Sequence, residues 1–355
     1  MKSNIFKEVQ EEMNALFYQS EIEKRKNGGN SFMKQMLFFK AFKVAFIVML
    51  FFSSCGDEKP KEISVDQPKQ QLKNVPNFNA DSAFYFVKKQ VDFGPRVPNS
   101  KAHDDCAKFL VKQFESYGLQ VHQQKGEVKG YDGTMLKFNN ISAQYQPENP
   151  KRVMISAHWD ARPWGDRFDK DNKQPIDAAN DGASGIGVML ELARVLSKEK
   201  LNIGVDFVCF DVEDYGKPHV DDSYCLGSQY WSRNFPLKVR PMYGVNLDMV
   251  GDPNALFTYE GGSFANAKLV LDKVWKSAHT LGYGKYFSFE PTSEIIDDHM
   301  YVNQIAKFPC IDIIDRSTST AFSATWHTHD DNIKNISPQT LKAVGQTLMF
   351  VLTYE

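Results

Sequence analysis

Short apolar runs alternate with amphipathic segments along most of the chain. Residues 153–157 and 205–210 are apolar runs of strand length. Between them, residues 183–197 place Ile186 and Leu190 on one face of a helix. Strands that alternate with helices form α/β sheets in which most strands are parallel. The pattern therefore predicts an α/β fold, with a mixed, mostly parallel central sheet that helices flank.

Further segments of the same kind complete this prediction. Strands are expected at 119–122, 136–145, 243–250 and 310–315, and helices at 101–117, 266–281 and 337–352. Ser337 and Pro338 supply an N-cap and a first-turn proline for the last helix. No internal repeat and no change of composition divides residues 78–355. We therefore expect a single folded domain over 78–355.

The segment before residue 78 has a different pattern. Residues 1–32 are charged and lack a signal sequence, so we interpret them as an upstream extension that is not native, with Met33 as the true start. Basic residues then precede an apolar run at 44–52, which is the layout of a secretory signal. This run is too short to span a bilayer. We therefore expect an exported protein.

Small residues directly before Cys55 make residues 33–54 resemble a bacterial lipoprotein signal, after which Cys55 is lipidated and becomes the mature N-terminus. Phe52 departs from the aliphatic residue that is usual there, so a plain secretory signal stays an alternative. Residues 55–77 are polar and predict a flexible tether. We expect a protein of the periplasm or cell envelope that contacts the membrane only through a lipid anchor at Cys55.

Charge and cysteine content restrict the partners. A net charge of -2 and a pI near 6.5 give no sign of the basic surface of a nucleic-acid binder. Besides Cys55, the chain has Cys106, Cys209, Cys225 and Cys310, without the short paired spacing of a zinc ribbon or redox motif. An oxidising compartment permits a disulfide among these four. The sequence does not decide whether one forms.

Acids and imidazoles follow the predicted strands. His158 and Asp160 follow the first, Asp211, Glu213 and Asp214 the second, Asp248 ends the third, and His327 lies beyond the fourth. Ligands bind in the crevice outside the carboxyl ends of the strands of such sheets. Asp181 precedes a predicted helix. Each residue alone has an ordinary explanation, as a helix cap, a solvated loop or an exposed side chain. Together, Asp181, Asp214 and His327 form the three-ligand set of a catalytic zinc site.

These residues resemble the zinc aminopeptidase superfamily. The matching segments are His158-Trp159-Asp160, Asp181-Gly182, Glu213-Asp214, Asp248 and His327. In two-zinc members the resemblance implies His158, Asp181, Asp214, Asp248 and His327 as ligands, with Glu213 as the base. A two-zinc aminopeptidase that hydrolyses N-terminal residues is therefore one interpretation.

Three further segments resemble the glutaminyl cyclase branch in its bacterial, animal-type form. They are Asp297-Asp298-His299, Trp326-His327-Thr328 and Asp330-Asp331-Asn332, and the resemblance covers nearly all of 78–355. It implies one zinc per chain, held by Asp181, Asp214 and His327. It also implies Glu213 as proton shuttle, and Asp248 and Asp297 as a supporting acidic network that could share a proton. It also implies an acyltransferase that converts N-terminal glutamine of peptides or proteins to pyroglutamate and releases ammonia.

Two departures from the animal cyclases affect the site. Asp214 is shorter than the glutamate of the animal enzymes, so its loop must close in to reach a metal. Residues 215–226 contain no tryptophan, which leaves Trp164 and Trp231 as candidates for a second substrate wall beside Trp326. Trp326 could instead be a core aromatic, and the role of His158 stays open. From another class, a non-catalytic peptide-binding lipoprotein is disfavoured because Glu213 and every candidate ligand are present.

Overall fold

The computed structural model describes residues 74–167, 174–316 and 322–355. The predicted upstream extension, the signal at 33–54, Cys55 and most of the tether lie outside these residues. In the described part of the chain, no helix is long and apolar enough to cross a membrane.

Within the described residues, eight strands form two sheets. They are β1 (Gln120–Lys129), β2 (Met135–Tyr145), β3 (Arg152–His158), β4 (Gly204–Phe210), β5 (Tyr243–Asp248), β6 (Phe257–Tyr259), β7 (Phe287–Pro291) and β8 (Cys310–Ile314). Six of them form the central sheet, in the order β1-β2-β4-β3-β5-β8. Strands β3, β4, β5 and β8 are parallel, and β2 pairs antiparallel with β1 and β4. The predicted mixed, mostly parallel sheet is confirmed.

Helices flank this sheet. They are α1 (Ala80–Val91), α2 (Lys101–Ser116), α3 (Ala183–Leu196), α4 (Leu226–Arg233), α5 (Gly261–Thr280), α6 (Asp298–Tyr301) and α7 (Pro338–Tyr354). Helix α5 begins earlier than predicted because the carboxylate of Glu260 caps the backbone N–H groups of Gly262 and Ser263. Helices α1, α4 and α6 were not predicted.

Glycines in α3 bring the helix close to its neighbours. A Cβ atom at Gly185 would lie 2.5 Å from the carbonyl oxygen of Leu247, and one at Gly187 would lie 2.5 Å from Val87 Cγ2. Only glycine therefore fits where α3 crosses β5 and α1. This close approach places the start of α3, just after Asp181, beside the carboxyl end of β5.

The four cysteines of the domain, Cys106, Cys209, Cys225 and Cys310, are all buried and free. The disulfide that the sequence left open is therefore not formed among them. Burial raises the pKa of the Cys225 and Cys310 thiols well above the ordinary value. These two side chains are thus neutral thiols inside the protein.

Candidate metal centre

The carboxyl edge of the central sheet collects the predicted ligand residues. His158 and Asp248 end β3 and β5, Asp214 follows β4, and Asp181 precedes α3. Asp181, Asp214 and His327 are buried and offer ligand atoms that all lie within 4.8 Å of one another. The structure therefore brings together three residues that are up to 146 positions apart in the sequence (327 − 181).

The spacing of this trio fits one tetrahedral ion. His327 Nε2 lies 3.3 Å from Asp214 Oδ1 and 3.7 Å from Asp181 Oδ2. Two atoms that bind zinc at about 2.0–2.2 Å in a tetrahedron lie about 3.3–3.6 Å apart. Asp214 Oδ2 is buried and has no hydrogen-bond partner among the described residues. Since a buried carboxylate oxygen without a partner is costly, the donor set fits a zinc ion.

The imidazole of His327 is oriented by a second carboxylate. Its Nδ1 lies 3.0 Å from Asp166 Oδ1, so Nδ1–H donates to Asp166 and Nε2 faces Asp181 and Asp214. Burial lowers the pKa of His327, but Asp214 and Asp166 override this and raise the pKa to about 9. The two carboxylates beside Nε2 therefore favour a positive charge there, which either a proton or a metal ion supplies.

The short side chain of Asp214 is accommodated by the loop that carries it. Asp160 accepts hydrogen bonds from the backbone N–H groups of Glu213 (3.0 Å) and Asp214 (3.2 Å) and so fixes this loop. Arg162 Nη1 donates to Asp214 Oδ1 (2.8 Å) and to the Asp214 carbonyl oxygen (2.9 Å). Burial raises the pKa of Asp214, but His327 and Arg162 outweigh it and hold the pKa below its usual value. Asp214 is thus a carboxylate held in place from two sides.

Glu213 lies next to this trio and is 9% exposed. Burial raises the pKa of its carboxyl well above the ordinary value; His158 opposes this, whereas Asp214 and Asp297 add to it. A carboxyl with a raised pKa can both accept and donate a proton near neutral pH. Glu213 therefore has the environment of a general acid–base.

His158 lies between two further carboxylates. Its Nε2 is 3.0 Å from Asp181 Oδ1 and 3.3 Å from Asp248 Oδ1, and its Nδ1 is 3.4 Å from Asp160 Oδ1. These three ligand atoms of His158, Asp181 and Asp248 also lie close enough together for a metal. Burial, with the charge of Asp181, raises the pKa of Asp248 to about 8. The 3.0 Å distance to Asp181 is that of a direct hydrogen bond.

Asp297 belongs to an acidic group beyond Asp248. It accepts hydrogen bonds from Asn246 Nδ2, at 3.0 Å, and from the backbone N–H of Asp298. Asp248 instead contacts His158. Among the described residues, no direct hydrogen bond therefore joins Asp248 and Asp297, which were expected to share a proton. The charge of Asp297 nevertheless raises the pKa of Asp248.

The aromatic candidates separate into two kinds. The ring of Trp326 is half-buried and stacks on the His327 ring, with centroids 3.7 Å apart. Trp164 is also half-buried and packs edge-on against Tyr215. Trp231 is completely buried against Phe210, so its assignment as a substrate wall is wrong. Its apolar surface is used by the core, whereas Trp326 and Trp164 keep exposed edges.

The positioning roles of three carboxylates and an arginine were not predicted. Asp331 accepts hydrogen bonds from the backbone N–H groups of Asn180 (2.6 Å) and Asp181 (3.0 Å), and Asp160, Asp166 and Arg162 act as described above. In the sequence, Asp160 was marked by the segment His158-Trp159-Asp160 and Asp331 by the segment Asp330-Asp331-Asn332. Asp211, in contrast, pairs with His103 at 2.8 Å and takes no part in the centre.

The backbone is strained around the centre. Val212, Met249 and His327 adopt φ values of 51°, 48° and 56°, which are unfavourable for residues with a Cβ atom. All three adjoin or are candidate site residues. Such strain persists where the surrounding structure fixes the chain, and it is frequent at functional sites.

A buried Asp-Asp-His set at the carboxyl edge of a mostly parallel sheet, beside an acid with a raised pKa, defines the class of zinc-dependent exopeptidase-like α/β proteins. Residues 140–352 match peptidase family M28, and the chain belongs to this family.

Solved and curated relatives refine this assignment. The chain is 46% identical to Bacteroides thetaiotaomicron glutaminyl cyclase bound to N-acetylhistamine, over 79% of this chain and 100% of that one, with a TM-score of 0.77. It is 43% identical to Porphyromonas gingivalis glutaminyl cyclase, over 78% and 98% of the two chains, with a TM-score of 0.76. It is 29% identical to aminopeptidase YwaD of Bacillus subtilis (strain 168), over 81% of this chain but only 59% of that protein.

The hydrogen bond from His327 to Asp166 generates a prediction about zinc affinity. Asp166→Ala removes the acceptor that orients the imidazole, so we expect zinc binding to weaken by about 10- to 100-fold. Competition with a chelating dye measures the dissociation constant. Asp330→Ala, an exposed acid, is the control and should bind zinc like the wild type. Equal affinities for both variants would contradict the assigned role of Asp166.

Proposed function

We propose that the protein is a glutaminyl-peptide cyclotransferase, which converts the N-terminal glutamine of peptides or proteins to pyroglutamate and releases ammonia. The observation that carries this proposal is the 46% identity to a glutaminyl cyclase whose whole chain is covered. The buried Glu213 beside Asp181, Asp214 and His327 supplies the groups that the chemistry requires.

One zinc ion per chain would be held by Asp181, Asp214 and His327. When bound, it would polarise the γ-carboxamide of the substrate glutamine and stabilise negative charge on its oxygen. Asp181 Oδ2, His327 Nε2 and a carboxylate oxygen of Asp214 are the proposed ligand atoms; His158 contacts Asp181 Oδ1, and Arg162 donates to Asp214 Oδ1. Each ligand is thereby held by a second residue.

Glu213 is the proposed proton shuttle. The α-amino nitrogen attacks the γ-carboxamide carbon, a C–N bond forms, and the bond to the amide nitrogen breaks. Glu213 takes the proton that the attacking nitrogen loses and delivers it to the departing nitrogen, which leaves as ammonia. Because both reacting groups belong to one residue, much of the entropic cost of bringing them together is absent.

The neighbouring acids would tune this shuttle. Asp248, with its pKa of about 8, is protonated at neutral pH, which limits the negative charge near Glu213. Asp297 contributes a charge that raises the pKa of Glu213. Trp326, stacked on His327, is the proposed wall against which the glutamine side chain packs.

A glutamine-initiated peptide tests the function directly. Mass spectrometry should detect loss of one ammonia with the peptide bond intact. Glu213→Gln keeps the shape of the side chain but removes the proton acceptor, so we expect kcat to fall by about 10²- to 10⁴-fold while zinc stays bound. Glu199→Gln, an exposed position, is the matched control. Full activity of the Glu213 variant would remove it from the mechanism.

A two-zinc aminopeptidase is the second candidate. The observation in its favour is the further trio of His158, Asp181 and Asp248, whose ligand atoms lie within 4.8 Å of one another. Against it, the chain is 46% identical to a glutaminyl cyclase over all of that protein, whereas it is 29% identical to aminopeptidase YwaD over only 59% of that protein.

Metal content separates these two candidates. We expect one tightly held zinc per purified chain by elemental analysis, and loss of that zinc in His327→Ala, because the trio loses its only nitrogen ligand. His158→Ala should retain the zinc. Two zinc ions per chain, together with release of free amino acids from the peptide, would establish the aminopeptidase instead.

We also propose export and a lipid anchor on Cys55. The support is the sequence pattern of basic residues, an apolar run at 44–52 and small residues before Cys55. In a bacterial host, radiolabelled fatty acid should be incorporated into the protein and the protein should fractionate with membranes. Cys55→Ala should lose both properties. A labelled Cys55→Ala variant would disprove the proposed attachment site.

A further inference from the structure

Cys225 contacts the candidate proton shuttle through both its side chain and its backbone. Its Sγ donates a hydrogen bond to Glu213 Oε1 at 3.1 Å, and its backbone N–H donates to the Glu213 carbonyl oxygen at 2.9 Å. The next backbone N–H, of Leu226, donates to the carbonyl oxygen of Val212 at 3.0 Å. Cys225, which directly precedes α4, thus fixes the loop that follows β4 and carries Glu213.

The surroundings favour a thiol as the donor. Glu213, Cys225 and Asp297 offer atoms that lie within 4.8 Å of one another, and two of these three residues are acids. Burial, followed by the charge of Glu213, raises the pKa of the Cys225 thiol well above its ordinary value. The hydrogen therefore stays on sulfur, where it is available to the carboxyl of Glu213.

The backbone of Cys225 is in the left-handed region, with φ 57°. A residue with a Cβ atom is unfavourable there, and glycine would avoid this cost. The position nevertheless carries a side chain, which is completely buried and directed at Glu213. The local conformation therefore gives no reason for a cysteine, whereas the contact with Glu213 does.

We propose that Cys225 is a positioning residue whose thiol hydrogen bond fixes the Glu213 carboxyl for proton transfer. Because Oε1 is engaged by the thiol, Oε2 is the oxygen assigned to exchange protons with the substrate. This inference rests on the proposed cyclase function. If Cys225 served only to fill space, the site would need a side chain of similar volume but no hydrogen-bond donor.

Three substitutions separate these two roles. Cys225→Ala removes the donor, Cys225→Gly removes it while fitting the left-handed backbone, and Cys225→Ser keeps an O–H donor. With a glutamine-initiated peptide, we expect kcat to fall about three- to tenfold in the alanine and glycine variants, with KM unchanged. Serine should restore kcat to within about twofold of the wild type.

Thermal unfolding and a remote cysteine serve as controls. Thermal unfolding shows whether each variant is folded. Cys209 is buried in strand β4, so Cys209→Ser measures the stability that a buried cysteine-to-serine change loses at a site without contact to Glu213. Wild-type kcat in the folded glycine variant, or serine as impaired as alanine, overturns the inference while leaving the cyclase function intact. A wild-type protein that leaves the peptide unchanged refutes the cyclase function itself, and this inference with it.

Discussion

The concentration of buried acids at one edge of the sheet is the constraint on which this protein depends. Asp181, Asp214, Glu213 and Asp248 are all at most 9% exposed. The charge of Asp214 acts on Glu213, and the charge of Asp181 acts on Asp248. Carboxylates buried together cannot all carry charge unless something compensates them. The compensation comes from a cation site on Asp181 and Asp214, from the guanidinium of Arg162 on Asp214, and from the raised pKa values of Glu213 and Asp248, which lower the cost of a proton on either acid.

A second layer of carboxylates holds these groups in fixed positions through hydrogen bonds. Asp160 holds the backbone of Glu213 and Asp214, Asp331 holds the backbone of Asp181, and Asp166 holds the ring of His327. Each of these acids accepts hydrogen bonds and so places a functional group. Second-layer contacts of this kind strongly affect metal affinity.

The same scaffold serves peptide hydrolysis and glutamine cyclisation, so the fold alone does not decide between them. The two activities differ in the number of metal ions that we propose for them. His158, Asp181 and Asp248 form a second group that could hold a metal ion, and a second ion there would supply a bridged water for hydrolysis. In the proposed cyclase, Glu213 moves the proton within a substrate that already contains both reacting groups.

The sequence by itself determined most of the central sheet and the candidate ligand set. The predicted strands at 153–157 and 205–210 lie within β3 and β4, and the one at 310–315 extends one residue beyond β8. These strands were predictable because apolar periodicity is a local property. Local position also marked Asp181, which precedes a predicted helix, and Asp214 and His327, which come after predicted strands. Only the tertiary structure decided the supporting contacts. Asp166 meets His327 across 161 positions, and Arg162 meets Asp214 across 52. Such partners have no local signature, since their role is set by which side chain the folded chain places opposite them.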